Sequence, residues 1–541
     1  MAAELAIVGA RIRTLDPAQP FASAIAMAGA RIVAVGDDAA VREHCDATTE
    51  ILDGRGMAIV PGLTDAHLHP LWATAFAVGI DTSGCTDRDQ LADALAAERR
   101  RIGPDAILRA WSVDYAHFAD GLRGDDLERL AGGPALAVFF DLHTYLATPS
   151  VLERAGVTGA ESFADASEIV VDADGRPTGE LREFSAFFRV ADALPGNDPE
   201  AARARVVAVL RELNAMGLTG AHVMDGSPEA YSLFSELEAR GELSLRLVVP
   251  LWVKPETGEE AIREYLDLVD ARGSLWRGGV AKFFIDGVVE TGTAWLDEPD
   301  ARGGGTQPFW PSEERYAETV ARFARAGFQC ATHAIGDRAV RAALDAYRLV
   351  GPPPRGRGLH RIEHLETLDD ATLARVAAEH VAASMQPLHM QWRQPDGSDE
   401  WAVRLGPDRV ARAFRTGDLL RSGALVPLGS DWPVAPADPR YGMAWARLRR
   451  HPGLPTQPVF EPEQAMSASD ALAGYTTAAA ATVGETEIGG RIAPGLRADL
   501  TAFAADPVDL PADELPDLPV LLTVVDGKVV HRADAAPSRA A

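Results

Sequence analysis

Cysteine is nearly absent. Cys45, Cys85 and Cys330 are the whole supply in 541 residues, and they lie too far apart for a disulfide framework or a thiolate metal site. No apolar run approaches the length that spans a bilayer, and the opening residues Met1-Ala2-Ala3-Glu4-Leu5 lack the basic start and apolar core of a secretion signal. Basic residues are outnumbered, 52 against 79 acidic, and the net charge of −27 favours solubility and repels phosphate backbones. These shortages argue against a disulfide-stapled domain, a helical membrane protein and a nucleic-acid binder. They predict a cytoplasmic protein with neither membrane nor nucleic acid as partner. With 47% hydrophobic and 24% charged residues, the chain can bury a large core and divide into two or more domains.

The stretch that organises the rest is Val60-Pro61-Gly62-Leu63-Thr64-Asp65-Ala66-His67-Leu68-His69-Pro70, an apolar run ending in two histidines one residue apart. If residues 57–68 form a strand, alternation puts His67 and His69 on one face, close enough to hold one metal ion, and Pro70 stops the strand. Taken alone, such a pair more often means two ordinary surface or core histidines, so the remaining sequence has to decide.

Toward both ends the chain reads as short strands with turns: 5–12, 22–28 and 31–35 at the start, 498–503 and 520–530 at the end, the last broken by Asp526-Gly527. The opening strands are too few to close a sheet, so the two ends are expected to join in one small β domain, 1–56 with 485–541, rather than form two arms. Between them, strand-like runs alternate with helical patterns, the mark of a parallel sheet wrapped by helices. Ten runs qualify: 57–66, 106–111, 135–141, 217–223, 245–252, 280–285, 328–332, 359–363, 381–386 and 424–429. Two of them, with an Asp174-Gly175 turn, fall within 71–199, which reads as an α/β insertion after the first strand. The other eight predict an α/β fold, a TIM-like (β/α)8 barrel over 57–70 and 200–484, with a helix at 199–216 leading into the second strand. The tail, 533–541, is small and polar and reads as disordered.

Catalytic groups of such barrels project from the C-terminal ends of the strands. Those ends carry His67 and His69, then His333, His364 and Asp431, all metal-ligand types. The fourth strand, Gly279-Val280-Ala281-Lys282-Phe283-Phe284-Ile285-Asp286-Gly287, sets a lysine inside an apolar run. A buried ammonium is costly and sheds its proton readily, so Lys282 needs a partner or a chemical role.

With these blocks in view, the sequence resembles the amidohydrolase superfamily and, within it, the YtcJ-like group that includes N-substituted formamide deformylases. The resemblance spans nearly the whole chain. It rests on Pro61 to His69, on Lys282 with Asp286-Gly287, on His333-Ala334-Ile335-Gly336-Asp337-Arg338-Ala339, on Arg361-Ile362-Glu363-His364, on Met385-Gln386-Pro387-Leu388-His389 and on Gly429-Ser430-Asp431-Trp432-Pro433. It implies a composite β-sandwich from both chain ends, an insertion capping the active site, and a two-metal centre. By that likeness His67, His69 and Asp431 hold the more buried ion and His333 with His364 the other. Lys282, carboxylated by carbon dioxide, bridges them; a single ion beside an unmodified lysine is the alternative.

Two divalent ions lower the pKa of a shared water toward neutrality and polarise a substrate carbonyl. Asp431 is then the base that takes the water's proton and delivers it to the departing nitrogen. The implied activity is hydrolysis of an amide or N-formyl bond by a metal-activated hydroxide, with zinc favoured because imidazole dominates the ligand set. Many members of the group dimerise, which makes a homodimer possible, but no stretch of this sequence derives one.

His389 after the seventh strand, His222 near the end of the second and Arg338 beside His333 are candidates for substrate contact, each balanced by an ordinary supporting or surface role. Trp111 and His143 lie in the insertion, where the family's segments cap the site, and Trp432 follows Asp431. With Trp295 and Trp392, these indoles favour an apolar or aromatic group on a small-molecule substrate, unless they fill an interface. His360, four residues before His364, reads as a hydrogen-bonded core residue. After Asp286-Gly287 come Val288-Val289-Glu290, where many relatives carry small polar residues, so no particular substrate transfers. Two rival classes stand against the main reading. A mononuclear deaminase-type enzyme needs a glutamate near the metal, and Glu363 beside His364 is expected by alternation to point away. A non-catalytic scaffold would have no reason to keep every ligand position filled.

Overall fold

The apolar run through 57–68 forms two strands in two different sheets. Ala58–Pro61 pairs antiparallel with Leu500–Phe503 and parallel with Arg11–Arg13, while Leu63–Leu68 pairs in parallel with Leu218–Val223. The chain turns between them at Gly62, where a Cβ would lie 2.3 Å from Thr219 Oγ1, so the bend admits no side chain. The computed structural model describes residues 2–118, 121–163, 167–194 and 199–534. Residues 535–541 of the tail expected to be disordered lie outside that range. One unit of the chain comprises His69–Val209 with Trp432–Ala435, and the other comprises the rest.

In the larger unit both chain ends share a six-stranded sheet, in the order Lys528–Arg532, Val520–Val525, Leu500–Phe503, Ala58–Pro61, Arg11–Arg13 and Phe21–Ala22. A four-stranded sheet follows the order Arg31–Gly36, Ala24–Ala28, Leu5–Val8 and Glu50–Asp53. Side chains of both sheets, Ile7, Ile25, Met27, Ile59, Leu500 and Val524 among them, form one buried cluster. The hairpin at the C-terminal end turns on Asp526 and Gly527, with φ of 55° and 75°, the left-handed pair that tight hairpins require.

The centre of this unit is built from parallel strands with helices between them, a mixed α/β arrangement. Leu63–Leu68, Leu218–Val223, Arg246–Val248 and Trp276–Arg277 form one sheet. Leu251–Val253, Val280–Phe284, Gln329–Ala334, Arg361–His364 and Ala382–Ser384 form another. The run 245–252, expected as one strand, is divided before Leu251 by Pro250, which has no N–H to donate, and each half joins a different sheet. The run 424–429 is no regular strand either, Pro427 being unable to donate, but its backbone is engaged on both sides. Met385 N donates to Pro427 O at 3.1 Å and Gly429 N to Met385 O at 3.1 Å, while Ala66 N donates to Leu428 O at 3.0 Å and Asp431 N to His67 O at 2.7 Å.

All six residues of Gln329–Ala334 are buried, as expected of a parallel strand covered on both faces. The preceding helix, Glu313–Arg325, starts at Ser312, whose hydroxyl accepts from Arg315 N at 3.2 Å. Glu313 and Glu314 occupy its first turn, and it buries Tyr316, Val320 and Phe323.

The smaller unit has its own six-stranded sheet, in the order Glu168–Val171, Pro177–Arg182, Thr144–Ala147, Ala135–Phe139, Leu108–Val113 and Ile80–Asp81. Apolar clusters gather around Tyr145 and Phe187 and around Leu95 and Phe139. The two strands expected in this region are joined by four more. The hairpin 168–182 turns where Asp172 Oδ1 accepts from the backbone N of Asp174 and of Arg176, both at 2.9 Å, and Gly175 takes a φ of 78°.

Candidate metal centre

His67 sits next to last in Leu63–Leu68 and is held by three carboxylates. Asp65 Oδ1 accepts from His67 N at 2.9 Å and from Ser430 N at 3.1 Å, pinning the strand to the segment that carries Asp431. Burial pushes the Asp65 carboxyl up to about 6. On the ring, Nδ1 lies 2.7 Å from Glu363 Oε2 and Nε2 lies 3.2 Å from Asp431 Oδ1. A proton on Nδ1, as the bond to Glu363 assigns it, leaves Nε2 presenting a lone pair to a carboxylate oxygen. Two acceptors at that separation repel unless a cation stands with them.

His364 ends Arg361–His364 with a φ of 77°, and Leu365 follows at 45°. This left-handed turn breaks the alternation of the strand and corrects an expectation: Glu363 does not point away but reaches His67, while His364 faces His67 and His333, with ring centroids 4.9 and 4.4 Å apart. Nδ1 of His364 is buried without a hydrogen-bond partner among the described residues, 4.0 Å from Asp431 Oδ2. Burial and the neighbouring His333 drive its pKa well below the usual value, the neutral state a metal ligand needs.

His333 stacks on Phe284 at 3.7 Å, with Nε2 3.3 Å from Gly287 O and 3.8 Å from Asp286 Oδ1. Asp286 accepts from the backbone N of Trp295, Ile335 and Gly336, so it shapes the loop after the His333 strand.

Lys282 is 1% exposed, and its Nζ has no hydrogen-bond partner among the described residues. Burial pushes its pKa down to about 8 against the pull of Glu363 and Asp431. His389 stands between two carboxylates, Nδ1 3.5 Å from Glu366 Oε1 and Nε2 3.4 Å from Asp431 Oδ2. Burial would lower its pKa, but those two partners prevail and raise it to about 9. Trp401 Nε1 donates to Glu366 at 2.7 Å. His364, His389 and Asp431 each offer a donor atom within 4.8 Å of the others.

Within the larger unit the fold therefore gathers His67, Lys282, His333, His364, His389 and Asp431 around the ends of parallel strands. These are imidazole nitrogens, a carboxylate and a buried amine, a donor set that suits divalent ions. His222 has another placement: its Nδ1 accepts from Arg361 Nη1 at 2.9 Å. It lines a cavity of about 50 Å³ with Thr64, Thr219, Arg246, Glu485 and Arg497. Arg338 is ion-paired with Glu313 and lies 5.3 Å over Trp295. Glu290 is paired with Arg393 at 3.0 Å.

In the smaller unit, His69 stacks on Trp72 at 4.3 Å and its backbone N donates to Trp432 O at 2.7 Å. His143 Nδ1 lies 2.8 Å from Glu183 Oε2, and Trp111 packs on the Tyr145 and Phe187 cluster. Sequence reasoning gave no role to Arg361, Glu366 or Asp65, and it expected Glu363 to point away. For Asp65, Arg361 and Glu363 the available signal was the one that marked Lys282, charged residues inside a buried strand; Glu366 follows its strand and carried no such signal.

These buried imidazoles, carboxylate and amine, set in a mixed α/β fold, form a donor set of the kind that metal-dependent hydrolases use. The chain belongs to the amidohydrolase family, whose pattern matches residues 50–531. It is 28% identical over 89% of its length to YtcJ of Bacillus subtilis, named as an amidohydrolase, covering 90% of that protein. To the N-substituted formamide deformylase of Arthrobacter pascens it is 27% identical over 97% of both chains. An uncharacterised metal-dependent hydrolase from Pyrococcus horikoshii superposes with a TM-score of 0.74 at 24% identity, covering 94% of this chain and 99% of that one. The protein is thus a hydrolytic enzyme acting on carbon–nitrogen bonds other than peptide bonds.

Proposed function

We propose that the chain hydrolyses an amide or N-formyl bond of a small molecule bearing an apolar or aromatic group, with two zinc ions held by His67, His69, Lys282, His333, His364 and Asp431. The observation that carries this reading is Lys282, an amine that is 1% exposed, has no hydrogen-bond partner among the described residues and has a pKa near 8. A neutral amine attacks carbon dioxide, and the resulting carbamate supplies anionic oxygen donors where the bare side chain supplies none.

Divalent ions in this donor set would lower the pKa of a water and polarise the substrate carbonyl. Asp431 is the base: its carboxylate takes the proton of the attacking water and returns it to nitrogen as the C–N bond breaks. His389, 3.4 Å from Asp431 Oδ2, orients that carboxylate and offers a cationic donor to a developing oxyanion. Trp111, His143 and Trp432 are the proposed apolar and polar contacts to the substrate. Arg338 and His222 already have partners, which supports supporting roles for both.

The same reading extends to the architecture: a (β/α)8 barrel over 57–70 and 200–484, a composite β-sandwich of 1–56 with 485–541, and an insertion at 71–199. Backbone bonds made by the segment 424–431 on both sides support the barrel, and the sheet shared by both chain ends supports the sandwich. No helix among the described residues is long and apolar enough to cross a membrane. A cytoplasmic homodimer is part of the proposal.

One observation favours the mononuclear reading, namely that Glu363 faces the site. Both its oxygens are engaged, however, by Arg361 and His67, and it stays ionised because Arg361, His67 and Lys282 together outweigh the effect of burial. That leaves it no proton to transfer. The deciding experiment is elemental analysis of protein expressed with zinc and bicarbonate, with intact mass recorded under non-acidic conditions. Two ions per chain and the added mass of one carbon dioxide are expected; one ion and an unmodified lysine would shift the assignment to the mononuclear class.

A further inference from the structure

We propose that Glu363 is a positioning residue for His67, clamped by the buried guanidinium of Arg361, and that His222 completes the clamp rather than touching substrate. The inference rests on the metal reading of His67 given above. Arg361 is 1% exposed, and its donors reach four strands. Nη1 donates to His222 Nδ1 at 2.9 Å. Nη2 donates to Ala66 O at 2.6 Å, Glu363 Oε2 at 2.9 Å and Ser384 Oγ at 2.8 Å. Nε lies 2.5 Å from Glu363 Oε1.

Two of these contacts bear on the same residue. The Ala66 carbonyl belongs to the peptide that leads into His67, and the Glu363 carboxylate receives the ring at Nδ1, 2.7 Å away. Backbone and imidazole are therefore fixed by one guanidinium, with Nε2 left as the lone pair beside Asp431 Oδ1. A carboxylate that holds the far nitrogen of a ligating histidine sets its tautomer, its rotation and its basicity. Glu363 is fully buried and tolerable only because Arg361 neutralises it, so the pair acts as one unit. His222 has the acceptor nitrogen that Arg361 Nη1 requires, which accounts for a buried histidine in Leu218–Val223.

The test measures zinc affinity of the full-length metal-free chain by competition with a chromophoric chelator, with its melting temperature as the control for folding. Glu363→Gln is expected to weaken zinc binding by about 10- to 100-fold, the range for removal of such an outer partner. The paired Glu363→Leu, Arg361→Met variant leaves no unpaired buried charge, so it is expected to fold and still lose that affinity. His222→Leu is expected to weaken binding by a smaller factor and His222→Asn, which restores an acceptor, to recover it. Nitrogen-15 resonances of the wild-type histidines, with His67 assigned by its loss in His67→Asn, are expected to show Nδ1 protonated and Nε2 bare.

Unchanged zinc affinity in the paired variant, or the opposite tautomer at His67, overturns the proposal. Unchanged zinc affinity in His67→Asn itself would instead overturn the metal reading beneath it.

Discussion

His360 is 3% exposed, its Nδ1 accepting from Cys330 N and its Nε2–H donating to Gly351 O, both at 3.0 Å. Only the neutral ring makes both bonds, and burial lowers the pKa from 6.5 to about 4. Between those values the unfolded chain binds more protons than the folded one, so this residue's contribution is complete above pH 6.5 and is lost as the pH falls through about 4. The window corresponds to about 3 kcal/mol. His360→Asn is therefore expected to melt with a shallower pH dependence between 4 and 6.5 than the wild type, and matching slopes would refute the assignment. Lys282 makes a second prediction. It is one of three lysines in the sequence, with Lys254 and Lys528, and with a pKa near 8 only about a tenth of it is neutral at pH 7. Reconstitution of metal-free protein with zinc and bicarbonate should therefore accelerate as the pH rises from 7 through 8. Lys282→Ala should retain at most one ion per chain and lose more than the ~100-fold in activity that follows removal of an outer partner.

At the scale of the element, the site depends on how closely the segment 424–431 lies against Leu63–Leu68. A Cβ on Gly429 would stand 2.6 Å from His67 N and 2.7 Å from His67 Cβ, so the two backbones approach as they do only because the side chain is missing. Gly429→Ala is expected to push them apart, straining the bonds Ala66 N to Leu428 O and Asp431 N to His67 O. An overpacking cost of about 1–3 kcal/mol should appear in thermal melts, together with reduced zinc content. Normal zinc content in a folded Gly429→Ala protein would show that Asp431 does not depend on this register. The Arg361–His364 strand teaches a related lesson. A period of two predicts opposite faces for Glu363 and His364, but the left-handed backbone at His364 turns both toward the site. Pro250 and Pro427 likewise divide or disturb runs that apolar composition alone presents as continuous.

For the whole molecule, the proposed metal would be a folding ligand as well as a reagent. Zinc at 100 times its dissociation constant adds about 2.7 kcal/mol per site to the folded state. A chelator should therefore lower the melting temperature by several degrees and added zinc should restore it, as calorimetry would show; a melt indifferent to both would contradict the metal centre. The class of fold and the candidate residues were legible beforehand. Alternating apolar runs and helical patterns specified a mixed α/β chain, the shortage of strands at the start suggested that the two ends meet, and the histidines, Asp431 and Lys282 stood out because polar groups in buried strands need a reason. The reason itself was not legible. His67 finds Glu363 296 positions away, Arg361 finds His222 139 positions away, and the pairing of His389 with Glu366 and Asp431 joins three segments far apart in the chain. Local sequence determines periodicity, breaks and residue chemistry, because these act within a few residues along the chain. Which carboxylate holds which imidazole was decided only by the tertiary structure, because burial makes an unpaired charge costly and long-range packing settles which partner removes that cost.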